Sequence, residues 1–238
     1  MADPASWSMS FYFGPKEEAA LAAVDAKLEQ TLEYSGLLAP ISKFFMYLLK
    51  YFYSYFQNYG IAIILLTLLL RLLLYPLTAH AQKSMKKQEE ISKKLKYIEQ
   101  RYKGDSEALN QAKAALIKEH GMPGITGGCL PMLMQIPFFF ALRNVLMSSI
   151  DLYRAPLGLW IHDLSMPDPY YVLPAAIGFS FILNALVAEK SQRMTMIVSG
   201  LVISALMANF SAGLALYMFV STFAGSVQAI FQKKVLRS

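Results

Sequence analysis

Apolar residues along this chain fall into five blocks of about 20 residues, at 58–77, 128–149, 171–188, 194–210 and 212–231, separated by polar or charged stretches. A helix rising 1.5 Å per residue needs about 20 residues to cross a hydrocarbon layer about 30 Å thick, so each block has the length of a membrane span. None alternates apolar with polar positions, and the pattern therefore predicts spanning helices and not barrel strands. Residues 37–57 differ: they are apolar and aromatic but punctuated by Lys43, Lys50, Tyr47, Tyr51, Tyr53 and Tyr55. That mixture predicts a helix lying in the membrane interface, although a plain extension of the first span fits the same residues. Asn58 and Gly60 mark the bend between the two.

The polar segment 78–123 carries Ile91, Leu95, Ile98 and Tyr102 at helical spacing, then a second stripe of Leu109, Ala112 and Leu116. With Lys103-Gly104-Asp105 as a turn, the two stripes predict a helical hairpin that packs them together, ended by Gly121 and Pro123. Residues 1–36 look like the remnant of a preceding domain and linker. Pro15 opens a helix-forming run there and Gly36 ends it. The loop 150–170 mixes Trp160, Tyr170 and prolines, and with Tyr171 it predicts interfacial anchoring. The resulting expectation is an all-α integral membrane protein with five transmembrane helices around a hydrophilic groove, a cytoplasmic helical hairpin, an outer interfacial amphipathic helix and a short cytoplasmic tail at 232–238.

Composition and charge sharpen this picture. A hydrophobic content of 55% is too high for an ordinary soluble domain of 238 residues. The net charge of +6 arises from bases placed by side of the membrane: ten Lys/Arg in 78–123, then Lys190 and Arg193, then Lys233, Lys234 and Arg237. The 150–170 loop has Arg154 as its only base. The positive-inside bias then places the amino terminus outside and the carboxyl terminus in the cytoplasm. The bases are not interleaved with stacking aromatics, so no direct nucleic-acid partner is expected. No apolar signal segment precedes Leu37 although the amino terminus is expected outside, which predicts that an earlier span has been removed. Cys129 is the only cysteine, and His80, His120 and His162 all lie outside the blocks. Neither a metal site nor another cofactor is expected, nor the machinery of an enzyme.

Candidate chemistry centres on Arg71, six residues and roughly 9 Å before Leu77 in the first block. A guanidinium at the middle of a span costs about 3 kcal/mol, and the five blocks contain no Asp or Glu. Water, polar side chains or another molecule must therefore offset its desolvation. Thr67, Arg71, Tyr75 and Thr78 share one helix face by spacing. Gln135, Ser180, Asn184, Ser199, Tyr217, Ser221 and Gln228 in the other blocks could join them around a wet cavity, or could individually hold helices together by hydrogen bonds. The many methionines suit a surface that accepts varied apolar partners, or ordinary packing. Arg143 lies near the outer end of its block, where it can snorkel.

Several strings here form a recognisable set: Asn58-Tyr59-Gly60 through Arg71 to Tyr75-Pro76-Leu77-Thr78; Gly127-Gly128-Cys129-Leu130-Pro131 with Gln135-Ile136-Pro137; Ala155-Pro156 with Trp160-Ile161-His162-Asp163-Leu164-Ser165; Asp168-Pro169-Tyr170-Tyr171; and Ser211-Ala212-Gly213-Leu214 with Tyr217 and Ser221. From Phe11 onward the chain resembles the YidC/Oxa family of membrane protein insertases. The resemblance implies a groove open to cytoplasm and lipid but closed outward, with Arg71 facing it and Thr67 and Tyr217 along the substrate path. It implies a bacterial inner-membrane location, and as partners nascent membrane proteins, the ribosome, the Sec translocon and anionic lipids. Phe11-Tyr12-Phe13-Gly14-Pro15-Lys16 resembles the end of a large periplasmic β-domain. Met218 departs from the family, standing where a second tyrosine is common. The candidate groove residues are thus Arg71, Thr67, Tyr75, Gln135, Asn184, Tyr217, Ser221 and Gln228. A small-solute channel or transporter using the same cavity, or a scaffold for helices already inserted, would need the same polar residues.

Overall fold

The computed structural model describes residues 38–120, 130–188 and 190–235, together with Leu21 and Val24 in helical conformation. The Phe11–Lys16 string, Gly121, Pro123, Gly127, Gly128, Cys129, Glu189 and Arg237 lie outside the described residues. Regular structure among the described residues is helical, apart from two isolated bridges, Gly158 with Ile161 and Pro167 with Ser211. The helices are α1 (Ala39–Phe56), α2 (Tyr59–Leu73), α3 (Tyr75–Arg101), α4 (Ser106–His120), α5 (Leu130–Ser148), α6 (Val172–Val187), α7 (Lys190–Met207) and α8 (Ala212–Val235). By length and composition, Ala212–Phe231 is the one stretch among the described residues long and apolar enough to cross a membrane unaided. Tyr59–Leu73, Val172–Leu186 and Arg193–Met207 are apolar but shorter.

The chain divides into two compact units, residues 1–66 with 140–238 and residues 67–139. In the first unit α1 buries Ser42, Phe45 and Leu49, residues three and four apart on one face. The Ser42 hydroxyl donates to the Ala141 carbonyl of α5 at 3.3 Å. The opposite face leaves Phe44, Tyr47, Tyr51 and Tyr55 exposed. The helix ends where Gln57 turns left-handed at φ 50°, and Asn58 then caps α2 by accepting from the Ile61 N–H at 3.1 Å. Tyr53 stacks on Tyr59 across this bend with ring centroids 4.1 Å apart.

Helix α6 packs against both α7 and α8. Close approach to α7 depends on Gly200, where a Cβ would clash with that of Phe181. The Ser204 hydroxyl of α7 donates to the Pro174 carbonyl at 2.6 Å, and the Ser226 hydroxyl of α8 to the Ser180 carbonyl at 3.0 Å. The Ser180 hydroxyl turns back to the Ala176 carbonyl of its own helix at 2.8 Å. Ser180 therefore serves as a helix-to-helix tie, the role small polar residues often take in apolar bundles. Arg193 reaches back from α7 to the Ala188 carbonyl at 3.2 Å, placing its charge at the negative end of the α6 dipole.

The second unit holds the α3/α4 hairpin. Among the side chains described there, Ile91 and Leu116 are its buried apolar residues, flanked by half-buried Leu95, Ile98, Leu109 and Ala112. Gly104, at φ +117°, makes the turn, and the Asp105 carboxylate caps α4 by accepting from Glu107 and Ala108 N–H groups. Lys113 pairs with Glu99 across the hairpin at 2.7 Å.

Candidate functional site

Helix α2 stops at Leu73, short of its apolar block, and α3 restarts at Tyr75. Pro76 is the cause, because it has no N–H to donate to the Leu72 carbonyl. Arg71 consequently sits in the last turn of α2, where its charge meets the negative end of the helix dipole. It is half-buried. This lowers the cost that a mid-span position would carry. On the same α2 face Thr67 is 1% exposed, whereas Tyr75, at the start of α3, is 47% exposed. The Thr78 hydroxyl donates to the Tyr75 carbonyl at 2.9 Å. Gln135 is half-buried on α5, two residues before Pro137 inside that helix.

In the first unit Tyr217 and Ser221 lie one turn apart on α8 and are only 3% and 2% exposed. Gln228, further along α8, and Asn184 on α6 are half-buried. Thr67, Tyr217 and Ser221 are covered, and Tyr75 faces outward. Met218 beside them is buried too, while Met147 and Met194 are exposed.

The best-organised polar structure is elsewhere, in the 150–171 loop. Asp168 is the one charged side chain among the described residues that is buried, at 3% exposure. Its Oδ1 accepts from Trp160 Nε1 at 3.0 Å and from the Tyr170 N–H at 3.1 Å, and its Oδ2 accepts from the Leu173 N–H in the first turn of α6 at 2.7 Å. Trp160, expected from the sequence to be an interfacial anchor, is thus a partner of Asp168. Tyr171 takes the left-handed conformation at φ 57°, which this anchoring must hold in place. Asp163 Oδ1 accepts from the Ser165 hydroxyl at 2.6 Å and from the N–H groups of Ser165 and Arg154. Burial pushes the Asp163 carboxyl up, but the Ser165 hydroxyl, the two N–H donors and the Arg154 charge outweigh it and hold the group below its ordinary value.

Three neighbouring elements close on this loop. Asn58 Nδ2 donates to the Leu157 carbonyl at 3.1 Å. The Ala212 and Gly213 N–H groups, left without helical partners at the start of α8, donate to the Met166 and Leu164 carbonyls at 2.7 and 2.9 Å. Lys50 of α1 pairs with Asp151 at 3.4 Å.

A sequence profile of the 60Kd inner membrane protein family matches residues 51–238. The chain belongs to that family. Among its relatives, a membrane protein insertase YidC of Geobacter metallireducens is 39% identical over 227 residues, covering 94% of this chain and 42% of that protein. Proteins of the same name from Campylobacter jejuni and Nitrosomonas europaea are 38% and 40% identical, over 91% of this chain and 42% and 36% of theirs. The chain thus spans less than half the length of these relatives. A crystal structure of an active YidC insertase with its first transmembrane domain resolved superposes at a TM-score of 0.66 with 21% identity, over 88% of this chain and 49% of that one. That likeness gives this chain the helical membrane-protein fold of the matched half of that structure.

Asn58 and Gly60, Trp160 through Ser165, Asp168 through Tyr171 and Ser211 through Leu214 all meet around the 150–171 loop. A sequence search for polar residues inside spans passes over Asp163, Asp168, Gly60 and Gly213. The available signal was Asp168-Pro169 just before an apolar block, the residue type and place of a helix cap.

Proposed function

We propose that this chain is the membrane-embedded part of an insertase, which receives nascent hydrophobic segments and passes them into the lipid bilayer of a bacterial inner membrane. Membership of the family, together with relatives named membrane protein insertases, carries this reading. In the working orientation the amino terminus and the 150–170 loop face the periplasm, and the α3/α4 hairpin and carboxyl terminus face the cytoplasm, following the placement of the basic residues.

A substrate's short polar tail, often acidic, would enter beside Arg71 while its apolar helix moves into lipid. The driving energy is hydrophobic transfer, about 25 cal/mol for each Å² of apolar surface removed from water, and no nucleotide is consumed. Arg71 lowers the desolvation cost of the tail. Because Thr67, Tyr217 and Ser221 are covered in the resting chain, substrate must displace what covers them. Tyr75, Gln135, Asn184 and Gln228 complete the proposed path. The hairpin, with exposed Lys93, Lys94, Lys96, Arg101 and Lys103, is suited to receive a ribosome or an emerging chain. The Sec translocon and anionic lipids are the further partners of this reading.

The test is insertion of a single-spanning substrate with an acidic tail into proteoliposomes. Arg71→Glu is expected to lower the yield well below wild type, and a substrate with a neutral tail to be less affected. Wild-type yield for the acidic tail in Arg71→Glu contradicts the charge role. Flux of small solutes without insertion supports a channel instead.

A further inference from the structure

The 150–171 loop does more than join α5 to α6. Gly213 marks a four-way junction: a Cβ there would lie 3.1 Å from Leu146 Cδ2 of α5, 3.2 Å from the Leu164 carbonyl oxygen and 3.4 Å from Ile63 Cδ1 of α2. Leu164, Ile63, Leu146 and Leu214 around it are all buried. These side chains are apolar, and the loop carbonyls meeting them already accept from α8 N–H groups, so the described residues that meet at Gly213 offer water apolar surface and paired carbonyls. Leu164 is its loop-borne member. What presents Leu164 is Asp168: Oδ1 closes residues 160–168 into a ring through Trp160, and Oδ2 fastens that ring to the first turn of α6. A carboxylate accepting three N–H bonds in a buried place is a strong, directional tie.

We propose that Asp168 is the positioning residue of an outer seal, in which the ring 160–168 keeps Leu164 plugged between α2, α5 and α8 so that the insertion path stays closed to ions on its outer side. The role of the seal in insertion rests on the insertase reading; its tightness does not. Asp168 acts through Trp160, Leu164 and α6 and touches no substrate. Losing the Leu173 bond in Asp168→Asn shifts the closed–open balance of the ring without removing a spanning helix.

The experiment is proton influx into pyranine-loaded proteoliposomes holding the full chain, with melting temperature and insertion yield measured on the same preparations. Asp168→Asn is expected to leak about tenfold faster than wild type, the equivalent of about 1.4 kcal/mol. Trp160→Phe should leak less than that but above wild type, and Leu164→Ala should leak with Asp168 intact. A folded Asp168→Asn protein as tight as wild type overturns the proposal. So does a leaky Leu164→Ala beside a tight Asp168→Asn, since the plug then needs no latch. If Asp168→Asn does not fold, Trp160→Phe decides: leak above wild type supports the seal and wild-type tightness overturns it. Wild-type vesicles that are tight but insert nothing would count against the insertase reading and leave the leak comparison intact.

Discussion

A Cβ at Gly60 would meet Leu157 Cδ1 and lie 2.9 Å from Leu157 Cβ and 3.0 Å from its Cα, so even alanine forces the loop away from α2. Gly60→Val should cost about 1–3 kcal/mol through overpacking, read as a lower melting temperature in detergent. Asp163 is a different kind of residue, because its contribution depends on pH. Its folded-state value lies below that of the unfolded chain, near 3.9. The stabilisation is therefore fully present above about pH 4 and is lost as pH falls through the lower folded value. The Ser165 amide should stay protected at pH 5, relative to its intrinsic exchange rate at that pH, and lose this protection only in stronger acid. Loss of protection already at pH 5 would contradict the network around Asp163.

Among the elements, the hairpin was the most legible in the sequence, because its two apolar stripes and its Gly104 turn are local features with one compact solution. Its stability should come from those stripes. Leu116→Ala should cost about 2 kcal/mol, the low end for a buried leucine in so small a unit, seen as faster exchange along α3 and α4. Glu99→Ala, which breaks a largely exposed pair, should cost at most about 1 kcal/mol. The helical character of the apolar blocks was legible for the same local reason, although among the described residues only Ala212–Phe231 is long and apolar enough to span by itself. The early end of α2 was not, because a count of apolar residues runs through Pro76 while the backbone hydrogen bonds do not. Asp168 was hidden for another reason: an acid in a polar loop looks solvated, and only the folded loop shows three N–H groups turned onto it. The covering of Tyr217 and Ser221 depends on packing between distant segments, which helical spacing cannot report.

For the whole molecule, the proposed topology places Leu159, at the tip of the 150–170 loop, and Tyr97, on the hairpin, on opposite sides of the membrane; both are exposed. In a Cys129→Ser background, Leu159→Cys should react with an impermeant thiol reagent from the periplasmic side and Tyr97→Cys only from the cytoplasmic side. Labelling of both from one side would contradict the orientation. On the proposed path nascent chains pass residues that the folded chain covers, and a photocrosslinker replacing Tyr217 in the full chain reads that passage. During insertion of a ribosome-bound substrate it should crosslink to the nascent chain and lose that product when the substrate is released. Crosslinks confined to this chain's own helices while insertion proceeds at the normal rate would contradict the account.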